Sequence, residues 1–454
     1  MKTSFGRRVV GARGHDLVVI PGDAGDALSP RLTIRSDTKE RIWNLLMPRI
    51  DPSAAARLPR STLKAEVAKL VQEIATEERI ELNESEESAL ATELADDMIG
   101  LGPLEPLLDD DEVTDILVNG PYSVYVERRG KLERTSARFR DVQHVVNVAQ
   151  RIASAVGRRI DEASPLVDAR LADGSRVNIA LAPIVLNGGT ISIRKFAKQN
   201  ITFDIMVRQG NLSAPMARFL QIATQIRASI LISGGTGSGK TTLLNAISRH
   251  IDTSERIITI EDAVELRLQQ PHVVQMETRS ANIEGVGAIP QRELVRNSLR
   301  MRPDRIILGE VRGPEAFDML QAMNTGHDGS MGTIHANTPR DALSRLENMV
   351  LMGSVNLPLR AIRQQIASAI DLIVQIERMR DGVRRVARVI ELGGMEGEVI
   401  TTRDLFVFRH QGEGRDGIIQ GSFEPSRLRP DLVERAMRYG LDKPMLEVIG
   451  IAGG

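Results

Sequence analysis

Hydrophobic positions recur at helical spacing over residues 38–50, 61–82 and 85–99. In the second of these, Leu63, Val67, Leu70, Val71 and Ile74 share one face, with Glu and Lys between them, which is the period of an amphipathic helix. Ser61 and Ser85 are expected as N-caps, and Pro48, Pro52 and Pro59 interrupt the first connection. Residues 36–100 are therefore expected to form a small helical bundle, acidic toward its end. Ahead of it, residues 1–35 mix Arg, Gly, Asp and Pro without any period and read as a flexible tail.

After Gly100-Leu101-Gly102-Pro103 the period shifts toward two. Strands are expected at 115–118, 124–127, 131–134, 177–181 and 190–194, with a helix over 142–156, giving an α+β domain over 101–196. A linker, 197–213, leads to a helix at 214–226. From there short apolar strands alternate with helices: 230–233, 256–260, 273–276, 305–308 and 332–335. That order predicts a largely parallel sheet covered on both faces. A late hairpin, 372–377 and 386–391, closes a domain over 214–393, and 394–454 is left as a C-terminal extension.

Composition narrows the reading. At roughly 150 residues per domain, 454 residues make about three domains. A net charge of -1 provides no global basic field for nucleic acid or lipid, and one Trp, three Tyr and nine Phe are too few for a base-stacking surface. No nucleic-acid partner is expected. The absence of Cys excludes disulfides and Cys-ligated zinc. No run approaches the ~18 apolar residues of a membrane span, so a cytoplasmic chain is expected, reaching a membrane only through a partner.

Gly234-Gly235-Thr236-Gly237-Ser238-Gly239-Lys240-Thr241 matches the P-loop pattern in full, with an apolar strand before it and a helix from Thr242 after it. Its glycines let backbone N–H groups curl round a phosphate, and the helix N-terminus adds positive potential. Lys240 neutralises phosphate oxygens, and the Thr241 hydroxyl is the expected Mg²⁺ ligand. ATP and Mg²⁺ are the expected cofactors. Two acidic positions follow predicted strands, where doubly wound sheets place ligands: Glu261-Asp262, with Glu265 a turn on, and Glu310. A carboxylate there can hold Mg²⁺ through water or orient the attacking water. His327 and His335 lack an evident third metal ligand, so a polar interface role is preferred. Arg194 and Arg300, taken alone, are surface cations.

From about residue 103 to 391 the chain resembles the secretion ATPases of the type II/type IV superfamily. Four motifs carry the resemblance. The P-loop comes first. Thr259-Ile260-Glu261-Asp262-Ala263-Val264-Glu265 looks like the aspartate box. Ile307-Leu308-Gly309-Glu310-Val311-Arg312-Gly313 looks like the atypical Walker B strand. Thr325-Gly326-His327 through Gly332-Thr333-Ile334-His335-Ala336-Asn337 looks like the histidine box. The resemblance implies an α/β fold: a RecA-like P-loop core with a smaller α+β N-terminal domain and an N-terminal helical bundle. It further implies a homo-hexameric motor that hydrolyses ATP between its two domains and works an inner-membrane platform protein, adding or removing pilin subunits at the inner face of the cytoplasmic membrane. Glu310 would orient water, Glu261 would support the metal or water, and His327 and His335 would sense the γ-phosphate. Arg194 would reach nucleotide on domain closure, and Arg300 would reach a phosphate from a neighbouring subunit. Arg300-Met301-Arg302-Pro303-Asp304-Arg305 and Ile193-Arg194-Lys195 look most like the tight-adherence (Tad/Cpa) pilus branch. The conjugation-type secretion ATPases are the nearest neighbours, and a type IV secretion or conjugation translocation ATPase is the alternative.

Overall fold

The computed structural model describes residues 36–50, 55, 58–128, 130–195, 201–279, 281, 286–353, 357–414 and 417–451. The expected tail, 1–35, and residues 197–200 of the expected linker lie outside them. Helices α1 (Ser36–Leu46), α2 (Arg60–Glu77) and α3 (Glu84–Ile99) close on Ile42, Leu46, Leu63, Val67, Val71, Ile74, Leu90 and Leu94. Their ends differ from expectation. Asn83, not Ser85, caps α3: its side chain accepts from the Glu86 N–H while the Glu86 carboxylate accepts from the Asn83 N–H. That reciprocal box requires an acid three residues on, and only Asn83 has one in register. Pro59 precedes α2 without a side-chain cap, so Ser61 lies inside the helix. α2 stops at Glu77 rather than at 82, because Arg79 takes a φ of 53°, a left-handed conformation that ends helices.

The next unit holds α4 (Glu105–Asp109), β1 (Val113–Asn119), β2 (Val124–Arg128), β3 (Lys131–Arg134), α5 (Val142–Ala155), β4 (Leu166–Arg170), β5 (Arg176–Ala180) and β6 (Thr190–Arg194). The strands form one sheet in the order β3-β2-β1-β6-β5-β4. Val145, Val148 and Ile152 of α5 pack into a core with Ile116, Val118, Ile191 and Ile193. β4 escaped the sequence reading. Its Leu166 is 61% exposed, which breaks the apolar alternation that marks a strand.

The third unit begins with α6 (Phe203–Arg208) inside the expected linker, capped by the Thr202 hydroxyl. Then follow α7 (Ala214–Gln225), β7 (Ile230–Gly234), α8 (Lys240–Ser248), β8 (Ile257–Glu261), β9 (Val273–Glu277), α9 (Gln291–Ser298), β10 (Arg305–Val311), α10 (Glu315–Asn324), β11 (Met331–His335), α11 (Pro339–Met352), α12 (Leu359–Ala369), β12 (Leu372–Arg378), β13 (Arg384–Glu396), β14 (Val399–Glu413), β15 (Ile419–Pro425), α13 (Leu432–Met437) and α14 (Asp442–Val448). The nine strands run β15-β14-β13-β12-β7-β11-β10-β8-β9. From β12 to β9 neighbours are parallel, and β13–β15 add an antiparallel edge. Each central strand splits its side chains between two cores. Ile230 and Ile232 join Phe219, Leu243 and Ile247 on one face, while Leu231 joins Met319, Leu346 and Ile366 on the other. That is why these strands read as unbroken apolar runs. Residue 393 is no boundary in the sheet, because β13 runs through it. Residues 399–425 were set apart in the sequence because their Arg, Thr and Gln positions face solvent at the sheet's edge.

One buried charge anchors the start of β10. Arg305 is wholly buried. Its guanidinium donates to both carboxylate oxygens of Glu255 at 2.7 Å and to the carbonyls of Thr224 and Gly329. Removing one partner of a buried pair strands the other. Arg305→Met is therefore expected to cost about 3–5 kcal/mol, read as a lowered melting temperature of the full chain. An unchanged melt would show that Arg227, 3.6 Å from Glu255 Oε2, suffices as its partner.

Candidate active site

The P-loop leaves the C-terminal end of β7, between β11 and β12. Gly234 has no room for a side chain: a Cβ would lie 2.3 Å from the Ile376 carbonyl and 2.5 Å from Ser238 Oγ. Gly237 and Gly239 take φ of 68° and 97°, open to glycine at little cost. Gly235 is half-buried, Thr236 is exposed, and Ser238 Oγ donates to the Gly235 carbonyl at 2.9 Å. Lys240 is buried, and its ammonium donates to the carbonyls of Gly234 (3.1 Å) and Gly235 (2.9 Å). Burial pulls it below the usual lysine range against the opposing pull of Glu310. Thr241 and Thr242 open α8, both half-buried.

β10 and β11 bring two further groups to this end of the sheet. Glu310 Oε1 lies 3.2 Å from His335 Nε2, and Glu310 Oε2 accepts from Arg312 Nη2 at 2.8 Å. Arg312 also donates to Asp262 at 2.8 Å. Burial pushes the Glu310 carboxyl up. The Arg312 hydrogen bond and the charges of Arg312, His335 and Lys240 outweigh burial and hold it below the ordinary glutamate value. It is thus a carboxylate at neutral pH, able to accept a proton or orient a water. His335 is drawn down by burial and by Lys240, which favours the neutral ring.

Glu261 differs from the expectation that it supports the metal. It is buried, and its oxygens accept from the Glu265 N–H (3.0 Å) and the Leu266 N–H (3.1 and 3.3 Å). Those bonds cap the turn after β8. Gly309 exists to admit it, since a Cβ there would fall 2.7 Å from Glu261 Cγ. Burial pushes Glu261 up to about 7 from 4.5, against those two N–H groups. As pH rises through that window the unfolded chain ionises first, so unfolding releases a proton and stability falls. Glu261→Gln is expected to remove up to about 3 kcal/mol of that decline. Melts of wild type and variant at pH 5 and pH 8 provide the check. Parallel decline in both would show that Glu261 does not titrate there.

Arg194 hydrogen-bonds Asp115 at 3.1 Å on the neighbouring strand. That bond raises its pKa, opposed by burial, and the charge of Glu265 reaches it across the domain boundary. Sequence reading missed its companion Arg176, which pairs with Glu265 at 2.9 Å and donates to the Ala263 carbonyl at 3.1 Å. It also missed Arg384, which donates to the Gly237 carbonyl at 2.9 Å, and Arg378, which donates to the Gly130 carbonyl at 2.8 Å. Arg312, just past the end of β10 and two residues from Glu310, stood within the motif around Glu310 without a role of its own.

Two expected residues are not brought here. His327 precedes β11 whereas His335 ends it, so a strand of roughly 13 Å separates their ends. His335 therefore lies at the P-loop end of the sheet and His327 near the opposite end of β11. Arg300 is exposed and lies before β10, near the start of β8, where Arg256 Nε donates to the Met301 carbonyl at 3.0 Å.

Among the described residues no group of three or more His, Asp or Glu forms a metal cage. The site suits Mg²⁺ held by a threonine hydroxyl, water and nucleotide oxygens rather than by protein alone.

A P-loop on a parallel sheet, with a carboxylate on a second strand end, defines a P-loop ATPase. A family model described as Type II/IV secretion system protein matches residues 97–406, and the chain belongs to that family, as one of its ATPases. A Mycobacterium tuberculosis (strain CDC 1551 / Oshkosh) protein whose name assigns it to conjugal transfer is 40% identical over 324 residues, spanning 70% of this chain and 92% of that protein. The type IV secretion system protein PtlH of Bordetella pertussis is 36% identical over 65% of this chain and 94% of its own. The VirB11 ATPase of the Brucella suis type IV secretion system, solved with sulphate, is 30% identical over 63% of this chain and 91% of its own, with a TM-score of 0.34. No described helix is long and apolar enough to cross a membrane.

Proposed function

We propose that this chain is the motor of a tight-adherence pilus: a homo-hexamer at the cytoplasmic face of the inner membrane that hydrolyses ATP to drive pilin assembly through a platform protein. The observation that carries a motor is Arg176. From the N-terminal domain it grips the same acidic turn, residues 261–265, whose Glu265 lies within electrostatic reach of Lys240. A nucleotide's phosphates compete for the cations on both sides of that boundary, so charge at the P-loop becomes domain movement. Lys240 and the loop N–H groups bind phosphate, and Glu310, released from Arg312, orients the attacking water. Mg²⁺ would sit on the Thr241 hydroxyl and neutralise phosphate charge. Arg194 would close onto the nucleotide with its domain.

The pilus branch is supported by the segments 300–305 and 193–195. The second reading, a translocation ATPase of a type IV secretion or conjugation machine, is favoured by the names of the relatives. A strain carrying Lys240→Ala separates the two. Loss of surface pili with DNA and protein transfer intact is expected, and intact pili with lost transfer would overturn the pilus reading.

A further inference from the structure

The P-loop helix α8 leaves the nucleotide site at Lys240 and ends beside a second concavity. Arg249 and His250, just past its last residue, form one wall of a cleft of about 620 Å³. α6, in the segment that joins the two domains, and α7 complete its lining. Its apolar lining is Phe203, Val207 and Ala217, the first and last buried. Phe203 stacks on His250 with ring centroids 5.0 Å apart and planes 14° from parallel. Its charged lining is Arg208, Arg218 and Arg249, with Asp204 of opposite sign. Among the described residues no carboxylate pairs with these three arginines; Arg218 donates to the Gln221 amide oxygen at 2.8 Å. His250 is pulled below the usual value by burial and then by Arg249, with Asp204 opposing and Arg218 adding to the fall. Two of the guanidiniums therefore act on the same ring, and the ring adds no charge of its own.

We propose that this cleft docks an acidic protein segment bearing one apolar anchor residue, supplied by a partner protein. Small-molecule sites converge buried polar groups on their ligand. Here Arg208 and Arg218 are exposed, Arg249 is half-buried, and the buried part of the lining, Phe203 and Ala217, is apolar, the pattern of a protein–protein patch with an apolar anchor site and a polar surround. Three like charges without partners select a segment of the opposite sign. The place gives the contact a consequence. An occupant touches the joining segment on one side and, on the other, the end of a helix that begins at Lys240 roughly 14 Å away. Binding is thereby linked to ATP turnover. The proposal stands whichever machine the ATPase serves.

The test uses the full chain and a fluorescein-labelled peptide of six glutamates around a central Leu-Phe pair, followed by anisotropy. Saturable binding is expected, weakened at least tenfold by Arg208→Glu with Arg249→Glu and weakened by added salt. The peptide should shift the wild-type ATPase rate and leave that of the double variant unchanged. Arg208 is exposed and Arg249 half-buried, so an unchanged melting temperature serves as the folding control, and Arg218→Glu as a second variant if it moves. Absence of saturable binding, or equal binding by the reversed variants, overturns the proposal. So does loss of oligomer mass in those variants, which would make the cleft a contact between copies, or competitive displacement by inorganic triphosphate at an equal site, which would make it a small-anion site.

Discussion

Lys240→Ala is expected to reduce ATP turnover to background, and Glu310→Ala to leave nucleotide bound but unhydrolysed. The two residues act on different parts of one event. The Lys240 ammonium is already at the loop, held by the Gly234 and Gly235 carbonyls, so a phosphate need only exchange those acceptors for its own oxygens. Without the ammonium the phosphate charge is left to backbone dipoles alone, and binding and chemistry fall together. Glu310 is kept anionic by the Arg312 hydrogen bond and the charges of Arg312 and Lys240 against the cost of its burial. Its loss removes the base but none of the N–H groups that bind phosphate, and a positioned base contributes roughly 10²–10⁴ in rate. Phosphate release and retention of labelled ATP after gel filtration measure both. Wild-type hydrolysis by Glu310→Ala would place the water on another group, with Asp262, joined to the same Arg312 at 2.8 Å, the next to replace.

What the sequence revealed and what it concealed follow from range. The P-loop is contiguous, and its chemistry is in its order: strand, glycines, lysine, helix. Glu310 was legible because it lies at the C-terminal end of an apolar strand of a parallel sheet, where topology brings strand ends together, and His335 through the motif that carries the resemblance. Glu261 satisfied the same rule and behaves differently. The difference lies in its neighbours: Gly309 opens a space on the adjacent strand, and the turn at 265–266 turns its N–H groups into it. Nothing in a one-dimensional pattern shows that a carboxylate's oxygens are already taken. Arg176, Arg378 and Arg384 were hidden for a related reason. Each lies on a strand whose pattern reads as ordinary polarity. Arg176 and Arg378 gain meaning only when the two sheets meet, and Arg384 only when β13 comes alongside the P-loop. The two histidines show the same limit from the other side, since a motif compact in sequence spans the whole length of β11.

That span bears on Arg300, whose replacement by alanine is expected to lower turnover by roughly 10³–10⁵-fold if it acts as an arginine finger. Within its own chain it cannot reach the P-loop. The strand from Arg305 to Glu310 puts roughly 17 Å between its end of the sheet and the carboxylate. Its backbone is fixed at that end by the helix before it and by the Arg256 bond to Met301. An exposed guanidinium at the far pole of a P-loop core can complete a site only in a neighbouring copy. Subunits carrying Arg300→Ala retain a whole P-loop, and subunits carrying Lys240→Ala retain a whole finger. Mixing the two therefore rebuilds some complete interfaces, and activity should return in proportion to the number of mixed junctions. Mixed particles confirmed by native mass that show no recovery at any ratio would remove Arg300 from the reaction. His327, at the same pole with an unpartnered buried Nδ1, would then be the residue to exchange in the same scheme.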